Sequence, residues 1–81
     1  MEASPPHPFI REGSALIGEW KFKDFAEALA FVNRVGEAAE AANHHPDISI
    51  RWNRVRLTLS THSAGTVTDK DHELAETISG L

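Results

Sequence analysis

The fold turns on the run Ile48-Ser49-Ile50-Arg51-Trp52-Asn53-Arg54-Val55-Arg56-Leu57-Thr58-Leu59-Ser60-Thr61-His62. Ile48, Ile50 and Trp52 alternate with Ser49 and Arg51, the period-two pattern of a half-buried strand. Asn53-Arg54 then reads as a tight turn. Beyond it, Val55, Leu57, Leu59 and Thr61 share one face, and Arg56, Thr58, Ser60 and His62 the other. Two strands joined by so short a turn pair antiparallel. His62 then projects from the polar side, at the end of a strand whose opposite face is buried.

Upstream, Ala15 to Phe22 reads as another strand, with Leu16, Trp20 and Phe22 on one parity and Glu19 and Lys21 on the other. Asp24-Phe25-Ala26-Glu27 has the D-x-x-E spacing of a helix N-cap. Phe25, Leu29, Val32, Val35 or Gly36, and Ala39 recur at helical spacing through about Asn43. Gly36 inside that helix costs about 1 kcal/mol relative to Ala, which is excused where another backbone approaches closely. Both a core helix and a helix–helix interface between subunits fit. Pro46 disfavours the helical conformation in the residue before it, so His44 and His45 sit at or just past the helix end. Downstream, Thr68-x-x-Asp71 opens a short helix buried through Leu74, Ala75 and Ile78. The order strand, helix, strand, strand, helix predicts an α+β fold, an antiparallel sheet with helices packed on one face. Residues 1–13, with Pro5, Pro6 and Pro8, read as a flexible tail, and residues 14–81 as one domain.

Eight basic residues against twelve acidic ones give a net charge of −4 in 81 residues. That balance argues against general binding of nucleic acid or anionic membrane. The longest clean apolar stretch, Ala28 to Val32, is far short of a membrane span. No cysteine and no signal-peptide pattern are present, so a cytoplasmic location is expected. A core this small favours oligomerisation as an added source of stability.

Chemistry concentrates in His44-His45-Pro46 and in Thr61-His62. Neutral imidazole gives and takes protons near pH 7, so these rings suit acid–base work, metal binding or a pH switch. Adjacent histidines plus a distant one can ligate zinc, with Asp47 or Asp71 adding a carboxylate. The tighter H-x-x-x-H spacing of most such sites is absent, and no metal is expected. Histidines at a helix end also simply stabilise the terminal carbonyls. His7 in the tail and His72 on the last helix read as incidental.

Four segments together resemble the pterin-4a-carbinolamine dehydratases. They are Phe22-Lys23-Asp24-Phe25, Ala39-Glu40-x-x-Asn43-His44-His45-Pro46, Asn53-x-Val55-x-Leu57-x-Leu59-Ser60-Thr61-His62 and Ala64-Gly65-x-x-Thr68-x-x-Asp71. The match runs ungapped from about Ala15 to Ile78. The resemblance implies a four-stranded antiparallel sheet with helices on one side, and homodimers or homotetramers. It also implies dehydration of a 4a-hydroxy-tetrahydropterin without metal or bound organic cofactor, recycling the pterin for hydroxylases. By the same likeness His44, His45 and His62 are the catalytic candidates. His44 and His62 would transfer protons, and His45 would hold the pterin. Pro46, Thr61, Ser63 and Ala64 would line the substrate site, and Glu40, Asn43 and Asp71 would orient the histidines.

Three departures from the family pattern stand out. The N-terminal helix that usually precedes the first strand is missing, and Ile48 replaces an aromatic residue. Thr66 stands where a second glycine is common, a strained choice if φ is positive there. The second functional reading is a non-catalytic dimerisation or interaction protein on the same fold, using the Ala38/Ala39 helix surface.

Overall fold

The computed structural model describes residues 8–81. Its strands are β1 (Ile10–Glu12), β2 (Ala15–Lys21), β3 (Asp47–Arg51) and β4 (Arg54–Leu59), and its helices α1 (Phe25–Ala42) and α2 (Asp69–Ser79). The strands form one antiparallel sheet in the order β1-β2-β4-β3, so β4 lies between β2 and the edge strand β3.

Register places Leu16 opposite Leu59, Gly18 opposite Leu57 and Trp20 opposite Val55. These residues therefore share one face. Leu16, Val55, Leu57 and Leu59 form a single buried cluster with Ala28, Phe31, Val35 and Ala39 of α1 and with Leu74, Ala75 and Ile78 of α2. Both helices thus cover the same side of the sheet, as the α+β reading expects. Trp20 lies between Phe9 and Phe31, at centroid distances of 5.3 and 5.0 Å.

The sequence reading is corrected at four places. The first is the tail: Phe9 is 2 % exposed and Ile10–Glu12 pair with β2. The proline-rich composition masked a short strand whose anchor is Phe9, seated edge-on against Trp20 beside Gly18. The rest of the tail, His7 included, and any helix before the first strand lie outside the described residues.

The second correction is the phase of α1. Its buried residues are Ala28, Phe31, Val35 and Ala39, while Phe25 and Leu29 are exposed. Two apolar rows run along this alanine-rich helix, and the one with the smaller residues lies against the sheet. Ala39 therefore belongs to the core. A Cβ added at Gly36 would meet nothing within 4 Å, so no neighbour among the described residues requires glycine there.

Third, the hairpin turn is Trp52-Asn53. Trp52 adopts φ 52° and is 68 % exposed. Asn53 is buried beneath it, and its side-chain amide donates to the Phe22 carbonyl at 2.8 Å. Fourth, β3 is an edge strand that is less covered than its alternation suggests, and Ile48 is 41 % exposed. Thr66 is not among the positive-φ residues, so the loop carries no strain at that position. Among the described residues, no helix is long and apolar enough to cross a membrane.

Candidate active site

Helix α1 ends in a way that aims two imidazoles apart. Asn43 takes the left-handed conformation (φ 51°, ψ 41°), its N–H donates to the Glu40 carbonyl, and the His44 N–H reaches back to Ala39 at 3.1 Å. This is the Schellman arrangement with Asn in the place usually held by Gly. The chain leaves the helix immediately into β3 through half-buried Pro46. His45 remains exposed and pairs its Nε2 with the Glu40 carboxylate. His44 turns inward, its side chain only 13 % exposed, and places Nε2 2.5 Å from Oδ1 of Asp71.

Asp71 is fully buried. It is the third residue of α2 and closes a capping box with Thr68, its Oδ2 accepting from the Thr68 N–H at 2.9 Å. The same oxygen accepts from the Thr61 hydroxyl at 2.7 Å, and Thr61 and Thr68 are themselves hydrogen-bonded. Burial alone would raise the Asp71 pKa. Hydrogen bonds from His44, Thr68 and Thr61, with the charge of His44, outweigh it and hold the carboxyl below its ordinary value. One carboxylate therefore caps a helix, fixes the end of β4 and orients His44.

The loop after β4 is closed on itself. Thr61 N–H donates to the Thr66 carbonyl, and the N–H groups of Ala64 and Gly65 return to Thr61. Gly65 takes φ +66°, which glycine accepts without the Cβ penalty. Arg11 of β1 donates to the Thr66 hydroxyl at 3.1 Å, so the strand missed in the sequence also braces this loop. His62 emerges from the loop exposed, and no hydrogen bond ties its ring among the described residues.

Between these two chain ends lies a hollow of about 330 Å³. Asn43, His44 and His45 line one side, and Ser60, Thr61, His62 and Ser63 the other. All three candidate histidines thus face one cavity although they come from a helix end and a strand end. Glu40 and Asp71 pair with His45 and His44, while Pro46 and Ala64 do not line the hollow. Sequence reasoning missed Lys70, which also lines the hollow. The N-cap at Thr68 was its signal, because a cap there sets Lys70 in the first turn of α2, beside the Thr61 loop. Among the described residues, no three metal-ligating side chains converge as a metal site.

The constellation suits proton transfer. When neutral, His44 donates its Nε2 proton to Asp71 and leaves Nδ1 as an acceptor; the carboxylate selects that tautomer. His62 stands across the cavity as a second imidazole free to act in either sense.

Comparison with known proteins agrees on one family. A family model described as pterin 4 alpha carbinolamine dehydratase matches residues 7–81. A candidate pterin-4-alpha-carbinolamine dehydratase of Thermomicrobium roseum is 56 % identical over 71 residues, covering 88 % of this chain and 76 % of the relative. A similarly named protein of Trichormus variabilis is 54 % identical over 80 residues, covering 99 % of this chain and 86 % of the relative. Among solved structures, a transcriptional coactivator/pterin dehydratase from Brucella melitensis superimposes with a TM-score of 0.81 at 35 % identity, covering 88 % of this chain and 76 % of that one. A pterin dehydratase-like RuBisCO assembly factor of the alpha-carboxysome shares the fold, with a TM-score of 0.73 at 17 % identity, over 91 % of this chain and 86 % of that one.

Proposed function

The chain belongs to the pterin 4 alpha carbinolamine dehydratase family, and from that premise we propose that it dehydrates a 4a-hydroxy-tetrahydropterin to the quinonoid dihydropterin. The observation that carries the reading is the convergence of His44, His45 and His62 on one hollow, with His44 held by buried Asp71. The reaction breaks the C4a–O bond and releases water, while the N5 proton is lost and its electron pair completes the C4a=N5 bond. One imidazole must protonate the departing oxygen and another must accept the N5 proton. Each such transfer contributes about 10² to 10⁴ in rate. His44, with Nδ1 left as acceptor, fits the base, and His62 fits the acid. His45, paired with exposed Glu40, holds the ring edge in this reading. In this reading Thr61 and Ser63 contact that edge, with Pro46 and Ala64 shaping the walls. Glu40, Asn43 and Asp71 keep the histidines in position. The reading carries with it a cytoplasmic homodimer or homotetramer that recycles a pterin cofactor.

A second reading, interaction through α1 without catalysis, draws on exposed Phe25 and Leu29 along the outer side of that helix. One experiment separates the two. The dehydration rate of freshly generated 4a-hydroxy-tetrahydropterin is followed with wild type and with His62→Ala. Acceleration by the wild type, lost in a folded His62→Ala protein, supports the dehydratase. No acceleration over the spontaneous reaction by folded wild type overturns it.

A further inference from the structure

We propose that the helix-free face of the sheet is a docking site for an acidic segment of a partner protein. Register sets Lys21 of β2 and Arg51 of β3 directly opposite Arg54 of β4, a row of three cations across three strands. In the next row Arg56 lies between Glu19 and Ser49. These six residues line an open hollow of about 660 Å³ at the far end of the sheet from His44 and His62. The two hollows share no residue, so this inference does not depend on the proposed reaction.

The row runs against the fold's own interest. Like charges directly opposite on neighbouring strands are destabilising. All four cations are exposed, and among the described residues none forms an ion pair or side-chain hydrogen bond, not even Arg56 with Glu19 opposite. A feature that breaks a local rule without an internal offset marks a functional surface. The missing offset is an anion.

Charge distribution and geometry select the occupant. Half of the chain's eight basic residues line this hollow with one carboxylate, Glu19, while Glu12 and Asp47 stand on the same face outside it. A long polyanion such as nucleic acid would extend from the hollow towards Glu12 and Asp47, whereas a short acidic segment stays where four cations face one carboxylate. Arg54 and Arg56 are separated by the i, i+2 step of a strand, roughly 6.8 Å, which equals the spacing of alternate side chains in an extended peptide. Guanidinium groups accept carboxylates in paired hydrogen bonds. Trp52, 68 % exposed in the turn between Arg51 and Arg54, adds the other residue type that most often anchors protein interfaces. An open, arginine-lined face beside an exposed tryptophan suits a protein segment better than a small molecule, which favours an enclosed apolar pocket.

The test is fluorescence anisotropy of the full chain with a labelled peptide of alternating Glu and Ser. Arg54→Glu is compared with Arg34→Glu on α1 as a charge-matched control, and an oligonucleotide of equal length serves as the competing probe. Saturable peptide binding is expected, weakened about tenfold or more by Arg54→Glu but not by Arg34→Glu. It should fall as salt rises from roughly 50 to 200 mM. Arg54→Gln, which removes repulsion from the row, guards against misfolding: it should weaken binding while leaving the dehydration rate intact and Tm equal to or above that of wild type. Absent binding, equal loss in both charge reversals, tighter binding of the oligonucleotide, or Arg54-dependent self-association in place of peptide binding would each overturn the proposal.

Discussion

Asp71→Asn preserves the shape of a fully buried side chain and removes its charge. The Oδ2 position receives the fixed Thr68 N–H and the Thr61 hydroxyl, so the amide oxygen must occupy it. The amide NH2 then faces His44 Nε2 and donates where the carboxylate accepted. His44 is forced to carry its proton on Nδ1, the atom proposed to act as base. Losing one charge-assisted bond costs about 2 kcal/mol, or about 8 to 16 °C in Tm for a domain of this size. The dehydration rate should fall by about 10² or more, with KM changing far less. Acid stability supplies an independent check. The native carboxyl titrates below its ordinary value, so it stabilises the fold above that value and loses this contribution as pH falls through the native pKa. Urea midpoints of wild type should therefore decline on acidification, and the variant's decline should be shallower. Stopped-flow dehydration and urea melts at matched protein concentration measure both effects. A folded Asp71→Asn protein with a rate within about twofold of wild type would refute the tautomer argument.

Two further substitutions probe the frame around the site. Gly18→Ala places a methyl 2.7 and 2.9 Å from the Trp20 ring, which Phe9 and Phe31 hold from both sides. A loss of about 1 to 3 kcal/mol is expected, read by urea melts and by the near-ultraviolet signal of Trp20. Asn43→Ala forces a β-carbon residue without a polar side chain into φ 51° and should cost about 1 kcal/mol, while Asn43→Gly is tolerated. Thermal melts of the pair distinguish a backbone requirement from a side-chain one.

What was legible in the sequence was local. Thr68-x-x-Asp71 announced a helix start, and the alternation from Val55 to Thr61 announced the buried side of β4. Asp24 likewise caps α1, accepting from the Glu27 N–H at 2.9 Å, as its spacing suggests. Tertiary features were not visible in the same way. The link from His44 to Asp71 spans 27 positions and exists only because α1 and β4 end beside the start of α2. The phase of α1 was ambiguous because alanines fill both apolar rows, and packing against the sheet, not periodicity, chose Ala28 and Phe31 over Phe25 and Leu29. Phe9 was hidden by its proline neighbours, and a three-residue strand is too short to show alternation. The cationic row was invisible for a related reason: Lys21, Arg51 and Arg54 become neighbours only through strand register.

The double duty of Asp71 changes how variants of this protein should be interpreted. Leu74, Ala75 and Ile78 seat α2 in the core and line no part of the histidine hollow. Yet any change that loosens their seating slackens the first turn of the helix, and with it the carboxylate that steers His44. Such substitutions would present in an activity screen as lesions of the chemistry, although they lie up to two helical turns from it. A screen that scores turnover alone will therefore draw the catalytic boundary too wide, enclosing residues whose only task is to keep a helix in its berth.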